Sequence, residues 1–309
     1  MSASTILKGA IKKTFRMRSP VEDITDADLR ELNSRVLDYI KSLTAEELEN
    51  RINSVVCKEP SSEHDENNLS KILEQEGIVI VPEFLDTETA ENAKAKLEGI
   101  VSRIADEDPK GTGFENEDML VQSEKPLVEG YASMANHPKS VVSIRQGKDQ
   151  GMVDVFNVDR LLGEKAGKIR DIYSKKWLID LLQSYEQAVR PANLNAYINK
   201  SITATRGFHA DSYQSTLKGF IYLTDVLSLD DGPYCFVKGS HVDTPWRKAN
   251  KAIGALTSAA TESPFVDPLS VVPVLGKKGT LVLSDQSGIH RGIPQADGAL
   301  RQLLVMRYL

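Results

Sequence analysis

The sequence predicts an α+β protein, with helices over its first part and a sandwich or barrel of antiparallel strands built by its C-terminal part. Three observations carry the prediction. After Asp28, Leu29, Leu32, Val36, Ile40 and Leu43 recur at helical spacing and give one apolar face. From Asn193 onward, short runs rich in β-branched and aromatic residues replace that period. Turn-forming clusters, notably "LSLDDGP" (227–233) and "PQADGA" (294–299), separate the runs.

Taken in order, residues 1–57 read as helical. Thr25-x-x-Asp28 and Thr44-x-x-Glu47 both fit helix starts in which a hydroxyl and a carboxylate satisfy orphan amides. The polar stretch "KEPSSEHDENN" (58–68) reads as a linker, dividing a helical N-terminal extension (1–67) from a main domain (68–309). That domain opens with a short helix stopping near Gly77 and a β-branched strand, Ile78–Val81. Asp86-Thr87 caps a long helix running to about Ala105, and 106–118 is a loop. Residues 119–160 show weak periodicity and read as a lid or binding loop. A helix follows from about Lys175 to Ala188, before Pro191. The expected strands are Leu194–Ala204, Thr216–Thr224, Tyr234–Val237, Val271–Val274, Thr280–Ser284 and Leu303–Leu309.

Composition narrows the function. Apolar residues at 40% and charged residues at 27% suit a soluble globular chain. A net charge of -6 argues against a dedicated nucleic-acid binder, whose footprint would be basic. Cys57 and Cys235 lie far apart in sequence, so neither a disulfide framework nor a thiolate metal site is expected, and a reduced, cytoplasmic protein is. No run approaches the roughly 18 apolar residues of a membrane span. The N-terminus is basic without a continuous apolar core and does not read as a secretory signal. Its Lys8, Lys12, Lys13, Arg16 and Arg18 read as a solvated helix face, with contact to an anionic surface as the alternative.

The chemistry centres on His209-Ala210-Asp211. In extended backbone, residues i and i+2 point to one face about 6.5–7 Å apart, so an imidazole and a carboxylate can converge on one cation. Two ligands do not make a redox metal site. A 2-His-1-carboxylate set binds Fe(II) on one octahedral face and leaves three positions open. Among His64, His137, His241 and His290, only His290 directly follows a strong strand, where a ligand can reach a barrel mouth; a structural role is its alternative. Eleven residues on, Arg301 opens the last strand, and a guanidinium fork there fits the carboxylate of a dicarboxylic co-substrate.

Four ordered blocks then resemble the phytanoyl-CoA dioxygenase family of Fe(II)/2-oxoglutarate-dependent oxygenases. They are "ILEQEGIVIVPEFLD", "FHADSY", "YLTDVLSLDDGPYCFVKGSH" and "GTLVLSDQSGIHRGIPQADGALR". The resemblance implies a double-stranded β-helix (jelly-roll or cupin-like) core with flanking helices. It also implies His209, Asp211 and His290 as iron ligands and Arg301 on the distal carboxylate of 2-oxoglutarate. The implied reaction consumes O2, oxidises a C–H bond of a small molecule, most often by hydroxylation, and releases succinate and CO2. His241 belongs to the family's structural Gly-Ser-His turn and is excluded from the metal.

Secondary candidates come from alternation and adjacency. Asn195, Tyr197 and Asn199 share one strand face and, with Thr224, are candidates for holding 2-oxoglutarate. Arg206, Tyr213 and Arg291 flank the metal motifs and are candidates for substrate contact. The chain departs from the family pattern at Gly292, where members often carry a hydroxyl that serves the co-substrate carboxylate, and at Phe208, where they often carry Trp. Asp211 disfavours a halogenase, in which a small residue replaces the metal carboxylate. A barrel enzyme that does not use 2-oxoglutarate and a noncatalytic binding protein are the competing readings. The extension lies outside the resemblance; packing, a lid or homo-oligomerisation are its expected roles.

Overall fold

The computed structural model describes residues 26–185, 190–256 and 262–309. Thr25 and the basic residues Lys8, Lys12, Lys13, Arg16 and Arg18 lie outside them. Among the described residues the chain forms a nine-stranded sheet, ordered β1-β10-β7-β12-β6-β5-β4-β3-β2, and a three-stranded sheet, ordered β11-β8-β9. The strands are β1 (Ile78–Val81), β2 (Phe114–Glu115), β3 (Met119–Gln122), β4 (Ser140–Ile144), β5 (Val153–Phe156), β6 (Pro191–Lys200), β7 (Leu217–Tyr222), β8 (Tyr234–Val237), β9 (Val271–Pro273), β10 (Leu281–Asp285), β11 (His290–Gly292) and β12 (Leu300–Tyr308). The helices that carry the argument are α1 (Asp26–Lys41), α2 (Ala45–Asn53), α3 (Glu63–Glu76), α4 (Thr87–Glu107), α5 (Tyr131–Ala135), α6 (Asp159–Leu162), α7 (Lys165–Tyr173), α8 (Lys176–Tyr185) and α9 (Pro245–Leu256). No helix among the described residues is long and apolar enough to cross a membrane.

Alternation along the large sheet explains how it packs. Val79, Val81, Leu281, Leu283, Leu304 and Met306 point to one face and bury against Leu73, Leu97, Leu178 and Leu182 from the helices. Their neighbours Ile78, Ile80, Phe220, Tyr222, Val282, Leu303 and Val305 point to the other face and meet Phe236 and Val272 of the small sheet. The outer face of the small sheet is covered by Val36 and Ile40 of α1. The space between the two sheets, at the end not filled by apolar side chains, is where the site lies.

The expected starts at Thr44 and Asp86 are present. Thr44 and Glu47 form a reciprocal capping box at α2, and Asp86 accepts the Thr89 N–H at 2.8 Å. Gly77 ends α3 at φ 74°, in the left-handed region that glycine reaches without strain. The last expected helix is seen as α8, ending at Tyr185; residues 186–189 lie outside the described residues.

Two expectations are corrected. Residues 58–68 are not all linker, because α3 begins at Glu63 behind Ser62, whose hydroxyl accepts the Asp65 N–H. Glu63, Asp65 and Glu66 occupy the first turn, where carboxylates complement the helix dipole, so a favourable helix start has the composition of a polar linker. This helix carries His64 and crosses the expected boundary at 67/68. Ahead of it, the Cys57 N–H donates to the Ile80 carbonyl (2.8 Å) and the Ile80 N–H to the Val55 carbonyl (2.9 Å), so the extension covers the open edge of β1. Residues 119–160 do line the cavity described below, through Tyr131, Arg145 and Phe156 among others, but as sheet rather than loop alone: β3, β4 and β5 extend the large sheet through a parallel β3–β4 pair and an antiparallel β4–β5 pair. β3 is buried on both faces, which erases the alternation that marks a half-buried strand.

One turn yields a stability prediction. Gly279 has φ 87°, and a Cβ there would collide with the Leu85 carbonyl oxygen, while the Gly279 carbonyl accepts the Leu85 N–H at 3.0 Å. Gly279→Ala combines backbone strain with a steric clash and is expected to destabilise the fold by about 2–4 kcal/mol, read as a lowered urea midpoint.

Candidate metal centre

The two histidines, far apart in sequence, face each other across a pair of strand-like segments. The His209 N–H donates to the His290 carbonyl (3.0 Å) and the His290 N–H to the His209 carbonyl (2.8 Å). That exchange defines a hydrogen-bonded antiparallel pair, whose side chains leave on the same side. Their rings lie 4.6 Å apart, centre to centre. The Asp211 N–H donates to the Gln286 carbonyl (3.0 Å), which ties the segment down again, and alternation returns the carboxylate to the face that carries both rings. His290 is tied on its other side to Phe236 of β8.

The ring orientation is fixed in the same way twice. Nδ1 of His209 lies 2.7 Å from the Gly207 carbonyl, and Nδ1 of His290 lies 3.0 Å from the Gly288 carbonyl. A carbonyl only accepts, so each Nδ1 carries the proton and each Nε2 presents a lone pair. Asp211 Oδ1 lies 3.6 Å from His290 Nε2 and 4.0 Å from His209 Nε2. Burial first, and the Arg206 guanidinium after it, hold the His209 pKa well below its ordinary value, which keeps the ring neutral and able to ligate. Burial alone would raise the Asp211 pKa, but the Lys218 ammonium outweighs it and holds the carboxyl well below the usual range. One ligand atom from each of the three residues lies within 4.8 Å of the others, so two neutral imidazoles and one carboxylate fit a divalent cation.

Lys218 was not anticipated. It shares the inner face of β7 with Phe220 and Tyr222, and its ammonium lies 2.6 Å from Asp211 Oδ2. The signal was present as a lysine at an inward position of a buried strand. Oδ2 is thereby occupied, and Oδ1, which faces the imidazoles, is the oxygen that would meet a cation. Lys218→Met is expected to destabilise the metal-free protein by about 1–2 kcal/mol, a buried-pair loss discounted because the carboxylate borders the cavity. Added Zn(II) should raise the melting temperature of the variant more than that of the wild type, because the cation replaces the missing ammonium.

The three residues open onto a cavity of about 500 Å³, within the range of small-molecule sites. Of the expected contacts, Tyr197, Asn199, Arg206, Arg291 and Arg301 are on its wall. Asn199 pairs directly with Arg301 across β6 and β12, and its buried Oδ1 has no hydrogen-bond partner. Arg301 is 7% exposed; its Nη1 donates to the Gly232 carbonyl and its buried Nε has no partner. Arg206 is ion-paired to Glu262 at 3.0 Å. Arg291 donates to the Thr205 hydroxyl (3.0 Å) and lies over the Phe208 ring.

Three other candidates are not brought to the cavity wall. Asn195 shares the inner face of β6, but its amide accepts the Asn157 N–H (3.1 Å) and donates to the Tyr131 hydroxyl (3.0 Å), so α5 covers it. The Thr224 hydroxyl accepts the Gln302 N–H (3.1 Å) just beyond β7. The Tyr213 ring lies 5.0 Å from both the Arg247 guanidinium and the Lys251 ammonium of α9. Outside the cluster of His209, Asp211 and His290, His241 Nε2 bonds to the Glu74 carbonyl (3.0 Å) and His137 Nδ1 accepts the Lys139 N–H (3.2 Å).

This architecture has counterparts among solved structures. The chain is similar to AviO1 from Streptomyces viridochromogenes Tue57, with a TM-score of 0.51 and 18% identity over 80% of this chain and 96% of that one. It is also similar to the non-heme alpha ketoglutarate dependent carbocyclase SnoK from nogalamycin biosynthesis, with a TM-score of 0.51 and 15% identity over 77% of this chain and 81% of that one. No family model matches the chain, and no curated protein matches it in sequence. The likeness is one of fold; the chemistry is read from the residues.

Proposed function

We propose that this chain is an Fe(II)- and 2-oxoglutarate-dependent oxygenase of the phytanoyl-CoA dioxygenase type, with a double-stranded β-helix core. In this reading it hydroxylates a C–H bond of a small molecule in cytoplasmic metabolism. His209, Asp211 and His290 hold the iron, and Arg301 grips the distal carboxylate of 2-oxoglutarate. The bound iron, with 2-oxoglutarate and O2, would supply C–H oxidation with release of succinate and CO2.

One observation carries the reading. His290 and Gly292 are separated by one repeat of β11, about 6.5–7 Å. The Arg301 Nη2 lies 3.8 Å from the position a Cβ would take on Gly292. A buried cation thus stands one strand repeat from the ligand cluster, the separation at which a five-carbon diacid can chelate at one end and form a salt bridge at the other. The orphan Nε–H and the Nη2 of Arg301 supply two parallel donors for that carboxylate. Asn199, beside Arg301, offers a buried amide to the same molecule. Tyr197, Phe220, Tyr222 and Tyr234 line part of the wall and would limit the access of water to the reacting atoms. Natural-product biosynthesis, the setting of SnoK, is the metabolic context we favour, and ring closure would be open to the same arrangement.

Anaerobic addition of Fe(II) and 2-oxoglutarate tests the reading. A visible charge-transfer band should appear only when both are present, and succinate release should accelerate with substrate. Absence of the band in wild-type protein that has bound iron would exclude 2-oxoglutarate as the chelating partner.

A further inference from the structure

We infer that the substrate carries an anionic group, a carboxylate or a phosphate, that docks on Arg307 at the end of the cavity away from Arg301. The inference deepens the oxygenase reading and rests on it. The wall of the cavity carries six Arg or Lys and three Asp, in a chain whose net charge is -6, so the cavity reverses the sign of the molecule. Three of those cations are accounted for within the protein. Arg145 is held by Asp154 (2.6 Å) and Asp149 (3.1 Å), Lys218 by Asp211 and Arg206 by Glu262. Among the described residues no carboxylate lies within 4.0 Å of Arg291, Arg301 or Arg307. Arg301 and Arg291 both border Gly292, at the end assigned to the co-substrate. Arg307 remains.

Its position is built rather than incidental. Alternation along β12 puts Arg307 on the inward face with Leu303 and Val305, and the β12–β7 pairing keeps register through it. Across β7, Arg307 lies directly opposite Lys218, an arrangement of like charges that costs stability. Both cations lie over the Tyr131 ring, at 5.6 Å for the Arg307 guanidinium and 5.9 Å for the Lys218 ammonium. Lys218 is neutralised by Asp211, so the unmatched charge is that of Arg307. An anion there would relieve the repulsion and orient a molecule whose apolar part rests against Tyr131 and Phe156.

Calorimetric titration of the anaerobic Fe(II)- and 2-oxoglutarate-loaded protein tests this with three matched probes: 4-phenylbutanoate, 4-phenylbutyl phosphate and 4-phenylbutanol. At least one anion should bind tenfold or more tighter than the alcohol, and whichever anion does so names the source. Arg307→Gln should bring the anion and the alcohol within about twofold, while Arg307→Lys retains most of the preference. Equal affinities in the wild type, absence of binding by both anions, or a preference that survives in Arg307→Gln overturns the inference. Wild-type protein that does not bind Fe(II) or 2-oxoglutarate in the same samples would instead overturn the oxygenase reading.

A different observation gives the N-terminal extension a role: the structure assigns Asn33 of α1 as a positioning residue for His209. Its Oδ1 accepts the Phe208 N–H at 2.7 Å, and its Nδ2 donates to the Leu29 carbonyl within the helix. A Cβ on Gly207 would stand 3.0 Å from that side chain, so the close approach depends on glycine. The Gly207 carbonyl is also the group that orients the His209 ring. Asn33 therefore fixes the peptide that fixes the ligand. Asn33→Ala and Gly207→Ala should each weaken Fe(II) binding about tenfold, as loss of outer partners does elsewhere, and Asn33→Asp, which keeps the acceptor, should recover it. Imidazole nitrogen shifts of His209 in the metal-free protein should change from one tautomer to a mixture. Unchanged Fe(II) affinity and tautomer in both variants, with only the melting temperature lowered, would reduce Asn33 to a packing residue. Failure of the wild type to bind Fe(II) would tell against the metal reading instead.

Discussion

His290→Ala is expected to abolish measurable Fe(II) binding under anaerobic dialysis, a loss of more than about 100-fold, since even outer partners of metal ligands are worth 10–100-fold. Asp211 and His209 alone leave too few donors to compete with water for a labile divalent ion. The fold should survive, because His290 is held in β11 by backbone bonds to His209 and by pairing with Phe236, which the substitution leaves in place. His241→Ala is the informative contrast. That ring caps the end of α3, bonded to the Glu74 carbonyl and standing over Gly77, so its loss should lower the melting temperature and leave Fe(II) affinity unchanged. If the two variants behave alike, the cluster of His209, Asp211 and His290 is structural.

The convergence of His209, Asp211 and His290 was legible because its geometry is short-range at each end. His209 and Asp211 are spaced by the strand period itself, and His290 follows the strongest strand of the C-terminal half. Arg301 was legible for a related reason, as a cation opening a strand whose other residues are almost all buried. Depth was not legible. Asn195 and Asn199 share a face by alternation, yet only tertiary packing puts Tyr131, 64 residues away from Asn195, over the first and leaves the second facing the cavity. Thr224 had the right neighbourhood, but β7 ends before it and its hydroxyl stands in for a ladder acceptor to Gln302. The sheet strands within 119–160 escaped notice because burial on both faces removes the period by which a strand is recognised. The contribution of α1 to the metal motif could not be seen at all, since Asn33 and Phe208 are 175 residues apart.

Arg301→Met is expected to weaken 2-oxoglutarate binding by about 2–5 kcal/mol, roughly 30-fold to several thousand-fold, the range for removing one side of a buried, hydrogen-bonded charge pair. Fe(II) should remain bound, because the hydrogen bond of Arg301 goes to the Gly232 carbonyl and not to His209, Asp211 or His290. Arg301→Lys should recover little, since a point charge does not reproduce two parallel donors. The stability of the free protein separates this role from a structural one. A guanidinium 7% exposed, without a carboxylate partner among the described residues and with a buried Nε left unsatisfied, is a cost to folding. Burial lowers its pKa for the same reason. Removing it should therefore leave the melting temperature of the metal-free protein nearly unchanged, with the lost bond to the Gly232 carbonyl offset by the relief of desolvation. The stabilisation that 2-oxoglutarate confers on the iron-loaded wild type should disappear in the variant. A residue retained at a cost to the empty fold, and stabilising only when a diacid is present, is accounted for by binding; a large loss of stability in the metal-free variant would instead make Arg301 a strut of the small sheet.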